Sequence, residues 1–233
     1  MKTKLTPLFG LLLLALLMPQ LTVAQSSGGI GVFAPGIQPV RFDVLNGSLP
    51  AGYPEISGNP FATAGAGYGI ISNFVIGGEG GSLHPGSFSN DDLQIELAGD
   101  YSFFSLGYVL LNRKGILAFP LVSVGEANQS VYIHQNDQTA TFGGVTGEPF
   151  QATTLKYRSK MLRFSITGLY AIKGNSSGKG ASGVMLGLTA GYQTSYKSGP
   201  WTYDNGSIED GPDFSNNGFF IQLLVGGGGV VNR

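Results

Sequence analysis

Few residues of this chain could carry out chemistry. The sequence has only 2 histidines, His84 and His134, and no cysteine. Asp91 and Asp92 are candidate partners, but neither histidine has the spacing of a metal site and no HExxH sequence occurs. We therefore expect no metal and no cofactor, and solvated loop positions for both histidines.

A serine close to a histidine is the arrangement to test next, because lipid-modifying membrane barrels can use a Ser–His pair. Ser87 follows His84 by three residues, with Pro85 and Gly86 between them. This spacing differs from the closely spaced histidine and serine of lipid A deacylases. We expect no catalytic residue and no enzymatic activity. A serine within hydrogen-bond reach of His84 or His134 would favour the alternative, a lipid-modifying barrel enzyme.

Three cations alternate along one predicted strand. Lys156, Arg158 and Lys160 share a face with the apolar residues that follow them. Such a ladder at the level of lipid headgroups could bind the phosphates of lipopolysaccharide, and Arg158 offers the best bidentate geometry. A solvated strand above the membrane, or a bulge that turns the cations inward, are the alternatives.

A second charged group is expected inside the fold. Glu96, Asp100 and Arg163 each occupy the polar face of an alternating segment. A charge enclosed in a narrow interior is costly unless it is paired. We therefore expect at least one of the two acids to lie near Arg163 or another base, unless each is hydrated near a barrel end.

The elements that position these residues begin after an N-terminal signal. Lys2 and Lys4 precede an apolar run over residues 7–18 and small residues that end at Ala24. This run is too short to cross a bilayer as a helix, which needs about 20 apolar residues. We expect residues 1–24 to be a cleaved signal peptide and residues 25–233 to form a single domain.

The composition favours a membrane-embedded β-protein. Charged residues make up 12% of the chain, against about 25% in an ordinary soluble domain. The chain contains 38 Gly, 15 Phe and 10 Tyr. Without the two lysines of the signal, 13 − 2 = 11 basic residues face 14 acidic ones, a net charge of −3. This balance argues against a nucleic-acid partner.

Alternating residues predict an all-β chain. No segment after residue 24 is apolar over the roughly 18 residues of a membrane helix, so a closed barrel is the one structure that could span a membrane. Six strands are predicted, with their apolar rows toward lipid: residues 68–79, 93–112, 115–132, 154–173, 183–197 and 218–231. In the second of these, the predicted lipid-facing row includes Ile95, Tyr101 and Phe103.

The connections between these strands alternate in length. Short turns are predicted at residues 112–115 and 174–181, and long loops at residues 80–92, 133–153 and 198–217. Outer-membrane barrels have short periplasmic turns and long extracellular loops, whereas a soluble sandwich has no reason to sort its loops in this way.

Two further strands would close a barrel of eight. Residues 29–33 and 40–45 are the candidates, although residues 41–53 could instead form a short helix near the barrel mouth. The predicted fold is a closed antiparallel transmembrane β-barrel, whose lumen eight strands leave just wide enough for side chains.

Glycine and aromatic residues also carry a family resemblance. Residues 65–68, 73–81, 107–108 and 225–229 resemble the small outer-membrane β-barrel proteins of Gram-negative bacteria, and the resemblance covers most of residues 64–231. It implies an outer-membrane location, insertion by the barrel insertion machinery and a monomer. The chain ends Val231-Asn232-Arg233 rather than on the aromatic residue with which such barrels often finish.

We therefore expect a non-enzymatic barrel with a structural or surface-interaction role and lipopolysaccharide as its lipid partner. Besides the barrel enzyme, the remaining alternative is a soluble lipid-binding calycin. Calycins usually carry an early Gly-x-Trp, whereas the one tryptophan here, Trp201, is late and in a predicted loop.

Overall fold

A computed structural model of the chain describes residues 25–135, 153–172, 180–203, 206–208, 211–213 and 216–232. The predicted signal peptide lies outside these residues. The elements in chain order are β1 (Ser26–Phe33), β2 (Gly36–Ile37), α1 (Asp43–Asn46), β3 (Phe61–Ile71), β4 (Phe74–Ser89), β5 (Leu93–Tyr108), β6 (Leu111–Arg113), β7 (Ile116–Gln135), β8 (Thr153–Ile172), β9 (Gly180–Ser198), β10 (Trp201–Tyr203), β11 (Gly206–Ile208) and β12 (Gly218–Asn232).

Eight long strands close into a ring. The order around it is β1, β3, β4, β5, β7, β8, β9 and β12, and β12 pairs again with β1. Every pairing in the ring is antiparallel. The predicted fold class, a closed antiparallel barrel of eight strands, is confirmed. No helix in the described residues is long and apolar enough to cross a membrane.

Two predicted boundaries in the first half of the barrel are wrong. The single strand predicted over residues 68–79 is a hairpin, because the chain reverses at Ser72 and Asn73 between β3 and β4. The long loop predicted over residues 80–92 is mostly strand, since β4 continues to Ser89 and pairs with β5 to its end.

The N-terminal candidates have different outcomes. The strand expected over residues 29–33 is confirmed as β1. The strand expected over residues 40–45 is wrong, because that segment contains the short helix α1, which was the alternative near the barrel mouth. Val40, Phe42, Leu45 and Ile56 of this region are buried, so the segment between β2 and β3 packs as a plug rather than as a wall strand.

The outer surface carries a belt of exposed apolar side chains. On β8 the belt runs from Phe164 to Ile172, and on β9 from Val184 to Tyr192. Nine residues are about what a tilted strand needs to cross the hydrocarbon core. The lipid-facing rows predicted for β8, β9 and β12 are confirmed as outward-facing.

Aromatic side chains mark both borders of the belt. Phe74, Tyr108 and Tyr170 are exposed at the end with the short turns, and the Phe74 and Tyr108 rings meet edge to face at 5.4 Å between centroids. At the other border the Tyr192 and Phe219 rings meet at 5.2 Å. Aromatic girdles of this kind flank the apolar band of transmembrane barrels.

Several strands continue past the belt at one end only. β7 and β8 each have 20 residues, about twice the 9–11 that cross a membrane. Their upper parts pair with each other, and β10 joins β8 at Lys156. The barrel therefore carries a protruding sheet at the end with the long connections.

Candidate functional site

A buried ion pair lies in the barrel interior. Arg163 of β8 faces inward and donates from Nη1 to Oε1 of Glu79 of β4 at 2.9 Å. The side chains are 3% and 6% exposed. Gln193 accepts from Arg163 at 2.8 and 3.2 Å, and Gln222 donates to the same Glu79 oxygen at 2.8 Å. Every charge in this cluster therefore has several partners, which burial requires.

Aromatic rings surround the guanidinium group. The Cζ atom of Arg163 lies 3.8 Å from the ring centroid of Phe103, 4.3 Å from that of Phe220 and 5.3 Å from that of Tyr101. Cation–π contacts of this kind are worth about 2 kcal/mol when desolvated. Gln38, from the plug segment, accepts from Arg163 at 3.3 Å, so the cluster also ties the plug to the wall.

Glycines on either side of Glu79 make room for these rings. Gly77 and Gly81 occupy inward positions next to Glu79 along β4. A Cβ atom at Gly77 would lie 2.4 Å from Tyr68 Cδ1, and one at Gly81 would lie 2.9 Å from Tyr101 Cζ. The Gly-Gly-Glu-Gly-Gly sequence thus places one carboxylate between two tyrosine rings.

The expectation for Glu96 and Asp100 needs correction. Both face outward on β5, and the row that includes Ile95, Tyr101 and Phe103 faces the interior. Asp100 accepts from Asn128 at 2.8 Å, and Glu96 lies 3.6 Å from His134. These acids stand on the outer face of the protruding sheet, above the apolar belt, so the polar row points away from the core. The carboxylate that meets Arg163 is Glu79.

The interior is filled. The plug residues Val40 and Phe42 close one end of the lumen against Leu83, Leu97 and Val131. Two interior cavities there have volumes of about 10 Å³ each, the space of roughly one water molecule. At this end of the lumen the described residues therefore leave space for single water molecules.

The predicted cation row faces outward above the belt. Lys156, Arg158 and Lys160 are exposed and share a face of β8 with Phe164. Glu126 of β7 lies beside them: Lys160 donates to Oε2 at 2.8 Å, and Arg158 donates to both carboxylate oxygens. These hydrogen bonds hold the pKa of the Glu126 carboxyl below its usual 4.5, so the carboxylate stays charged near neutral pH.

The histidines of the described residues do not pair with Ser87. His84 shares a 3.0 Å hydrogen bond with Thr63, and His134 lies near Glu96. The Ser87 hydroxyl accepts a hydrogen bond from Gln94 Nε2 at 2.9 Å and does not contact either histidine in this way. The described part of the chain contains no group of three metal-ligating side chains. The serine–histidine pair that would favour a barrel enzyme does not form at Ser87, and the hydroxyl that pairs with His84 is that of Thr63.

Sequence reasoning missed three residues that matter at these two clusters. Glu79 could have been noticed as a lone acid inside a glycine run. Glu126 follows the outward-facing Val124 by two residues on the same predicted strand, so its carboxylate is also expected to face outward. Lys197 stands beside Lys160 because β9 contains a bulge, and no sequence signal gives the place of that bulge.

Comparisons with known proteins concern the fold alone. No family model and no curated protein matches the sequence. Among solved structures, the attachment invasion locus protein Ail of Yersinia pestis is similar over 89% of this chain and 98% of its own, with 12% identity and a TM-score of 0.38. Ail in complex with the heparin analogue sucrose octasulfate gives a TM-score of 0.35 at 12% identity, over 89% of this chain and 98% of its own. A major outer membrane protein from Thermus thermophilus is similar over 88% of this chain and 98% of its own, with 10% identity and a TM-score of 0.47. The barrel itself is established by its strand pairings.

Proposed function

We propose that this protein is a non-enzymatic outer-membrane barrel with a structural or surface-interaction role. The observation that carries the proposal is a filled interior inside an exposed apolar belt. A filled lumen cannot conduct large solutes, and a belt with two aromatic borders is costly to expose to water. The protein therefore acts through its outer surfaces, namely the belt in lipid and the protruding sheet in water.

The protruding sheet is the contact surface in this proposal. Buried residues stabilise it: the Trp201 and Tyr157 rings lie 5.0 Å apart, and Trp201 Nε1 donates to the carbonyl oxygen of Pro212 at 2.7 Å. Asn216 accepts from Gln129 at 2.6 Å. A rigid sheet above the membrane presents a fixed surface to a partner, which limits the ordering cost of binding.

The proposal also includes the location and partners of the protein. The barrel lies in the bacterial outer membrane as a monomer and reaches it through the barrel insertion machinery. Lipopolysaccharide surrounds its upper border, where Lys156, Arg158 and Lys160 face outward. Support comes from the order of these cations along β8, which starts with Lys160 directly above the belt, near the level that lipid phosphates occupy.

Membrane fractionation and conductance measurements test the proposal together. The mature protein is expected to pellet with outer membranes, to need detergent for extraction and to migrate differently on gels before and after heating. Reconstituted in a planar bilayer, it is expected to show no stable conductance. Recovery from the periplasm without detergent would refute the membrane location, and an ohmic pore of porin size would refute the filled lumen.

A further inference from the structure

A groove crosses the outer surface at the upper border of the belt. It spans β5, β7, β8 and β9 and has a volume of about 650 Å³. Its lower side is apolar, formed by Phe104 and Val124, which are 52% and 48% exposed. Its upper side is charged, with Glu126, Lys160 and Lys197. The groove thus joins an apolar surface to a cationic one at the place where the membrane ends.

A β-bulge places the second cation of the groove. Lys160 pairs with Lys197, but the next residue of β8, Met161, pairs with Ser195. The extra residue, Tyr196, lets Tyr196 and Lys197 both stay exposed on the outer face. Two lysines therefore stand opposite each other on neighbouring strands, an arrangement that is unfavourable without an anion between them.

The charges that line the groove do not balance. Lys160 and Lys197 supply two positive charges and Glu126 supplies one negative charge, so 2 − 1 leaves a net charge of +1. Glu126 pairs with Arg158 and Lys160, and Lys197 has no ion-pair partner among the described residues. An anionic group such as a lipid phosphate is therefore complementary in sign to the groove.

We infer that this groove binds the phosphate group of an anionic outer-leaflet lipid, which Lys160 and Lys197 hold while its acyl chains lie against Phe104 and Val124. The inference rests on the proposed membrane location and names the residues that hold the lipid phosphate at the upper border. The positive charge of the groove favours an anionic headgroup. Because the groove is continuous with the apolar belt, it favours a lipid over a free anion. Lys156 lies four residues above Lys160 along β8, about 13 Å away at the rise of an extended strand. It does not line the groove.

Glu126 competes with a bound phosphate for the cations of the groove. Its carboxylate holds Arg158 and Lys160 in the orientation that a phosphate would otherwise give them. A bound phosphate competes with Glu126 for the same N–H donors. Loss of the carboxylate is therefore expected to tighten lipid binding, whereas loss of a lysine weakens it.

Native mass spectrometry in a neutral detergent measures this binding. The probe is diphosphorylated lipid A, compared with the same lipid after enzymatic removal of both phosphates. Lys160→Gln with Lys197→Gln is expected to weaken binding of the phosphorylated lipid about 25-fold, at roughly fivefold per basic residue near an anionic lipid surface. Glu126→Gln is expected to strengthen it by about twofold to fivefold.

Arg113→Gln with Lys114→Gln is the matched control, because it also removes two positive charges, from the turn between β6 and β7 at the opposite end of the barrel. It is expected to change the affinity by less than about twofold, since these charges lie farther from the groove than the Debye length. Equal losses in the Arg113/Lys114 and Lys160/Lys197 variants, or weaker binding in Glu126→Gln, would overturn the groove as the site. Equal binding of the dephosphorylated lipid would overturn phosphate recognition.

A competition arm separates a lipid from a free anion. Inorganic phosphate at the concentration of the bound lipid is expected to displace none of it, because phosphate has no contact with Phe104 and Val124. Displacement at equal concentration would overturn the lipid as occupant. A barrel that fractionates with membranes but fails these tests refutes this inference alone, whereas a barrel recovered as a soluble protein refutes the proposed function.

Discussion

Removal of either partner of the buried Arg163–Glu79 pair is expected to have unequal effects. Arg163→Met leaves the Glu79 carboxylate in the interior, where the described polar contacts include a hydrogen bond from Gln222. The expected cost is about 3–5 kcal/mol, the usual cost of stranding one buried charge. Glu79→Gln keeps an oxygen that can accept from Arg163 and Gln222. The guanidinium also keeps Gln193 and the rings of Phe103 and Phe220, so we expect a cost of about 1–2 kcal/mol.

The double variant distinguishes the interaction between Arg163 and Glu79 from the contacts that each makes with other residues. If the two changes acted independently, their costs would add to about 4–7 kcal/mol. Because Glu79→Gln with Arg163→Met leaves no charge in the interior, we expect about 2–4 kcal/mol instead. Thr167→Val is the neutral control, since it removes the 2.6 Å hydroxyl contact between Thr167 and Thr189 in the same interior at about 1 kcal/mol.

Equilibrium unfolding in urea measures these costs, with the barrel folded into lipid vesicles and followed by circular dichroism and by the mobility of unheated samples on gels. Arg163→Met and Thr167→Val should add, because no charge links them. Equal costs for Arg163→Met and Glu79→Gln, or a double variant as costly as the sum of the two, would refute the buried pair as a coupled unit.

Three further predictions concern the wall and the outer cluster. Gly226→Ala is expected to lower the free energy of unfolding in urea by about 1–3 kcal/mol, because the added Cβ would lie 2.0 Å from the backbone oxygen of Gly31. Gly31→Ala is the control and should be neutral, since its Cβ would have no atom within 4 Å. Equal effects of the two variants would contradict this packing. Leu188→Arg in the belt is expected to lower the free energy of unfolding by about 2–4 kcal/mol. Ser130→Arg on the protruding sheet is the control and should change it by no more than about 0.5 kcal/mol. A Leu188→Arg variant as stable as the parent would argue against lipid contact. Because hydrogen bonds from Lys160 and Arg158 lower the pKa of Glu126 below its usual 4.5, its carboxylate stays charged around neutral pH. Binding of a sulfate-headed lipid should therefore be flat from about pH 8 to about pH 6, and a rise over that range that Glu126→Gln abolishes would contradict the ion pairs.

Alternation in the sequence predicts where strands occur better than which face is buried. In β5 the upper residues lie in the protruding sheet, where Glu96 and Asp100 occupy the outer face and Ile95 and Tyr101 pack inward. Lower down, Phe103 fills the lumen while Phe104 and Leu106 are exposed in the belt, so both faces are apolar. The reversal at Glu96 and Asp100 follows from this change of surroundings along one strand.

The turn between β3 and β4 could not be predicted from residue types. Ser72 and Asn73 have φ angles of 49° and 72°, a conformation that hairpin turns usually meet with glycine. Apolar residues flank this turn on both sides without a glycine, so the sequence resembles one continuous strand. Asn73 is held there because its side-chain oxygen accepts from the Ser26 backbone N–H at 2.5 Å, a contact between residues 47 positions apart that local sequence does not reveal.

Labelling of single cysteines in whole cells tests the transmembrane barrel most directly, and the absence of native cysteine makes each position unambiguous. Lys156→Cys on the protruding sheet is expected to react with a membrane-impermeant maleimide, and Leu188→Cys in the belt is expected to stay protected until the protein is unfolded. Arg113→Cys at the short-turn end should react only after the outer membrane is permeabilised. Reaction at all three positions in a detergent-free soluble fraction would contradict the account.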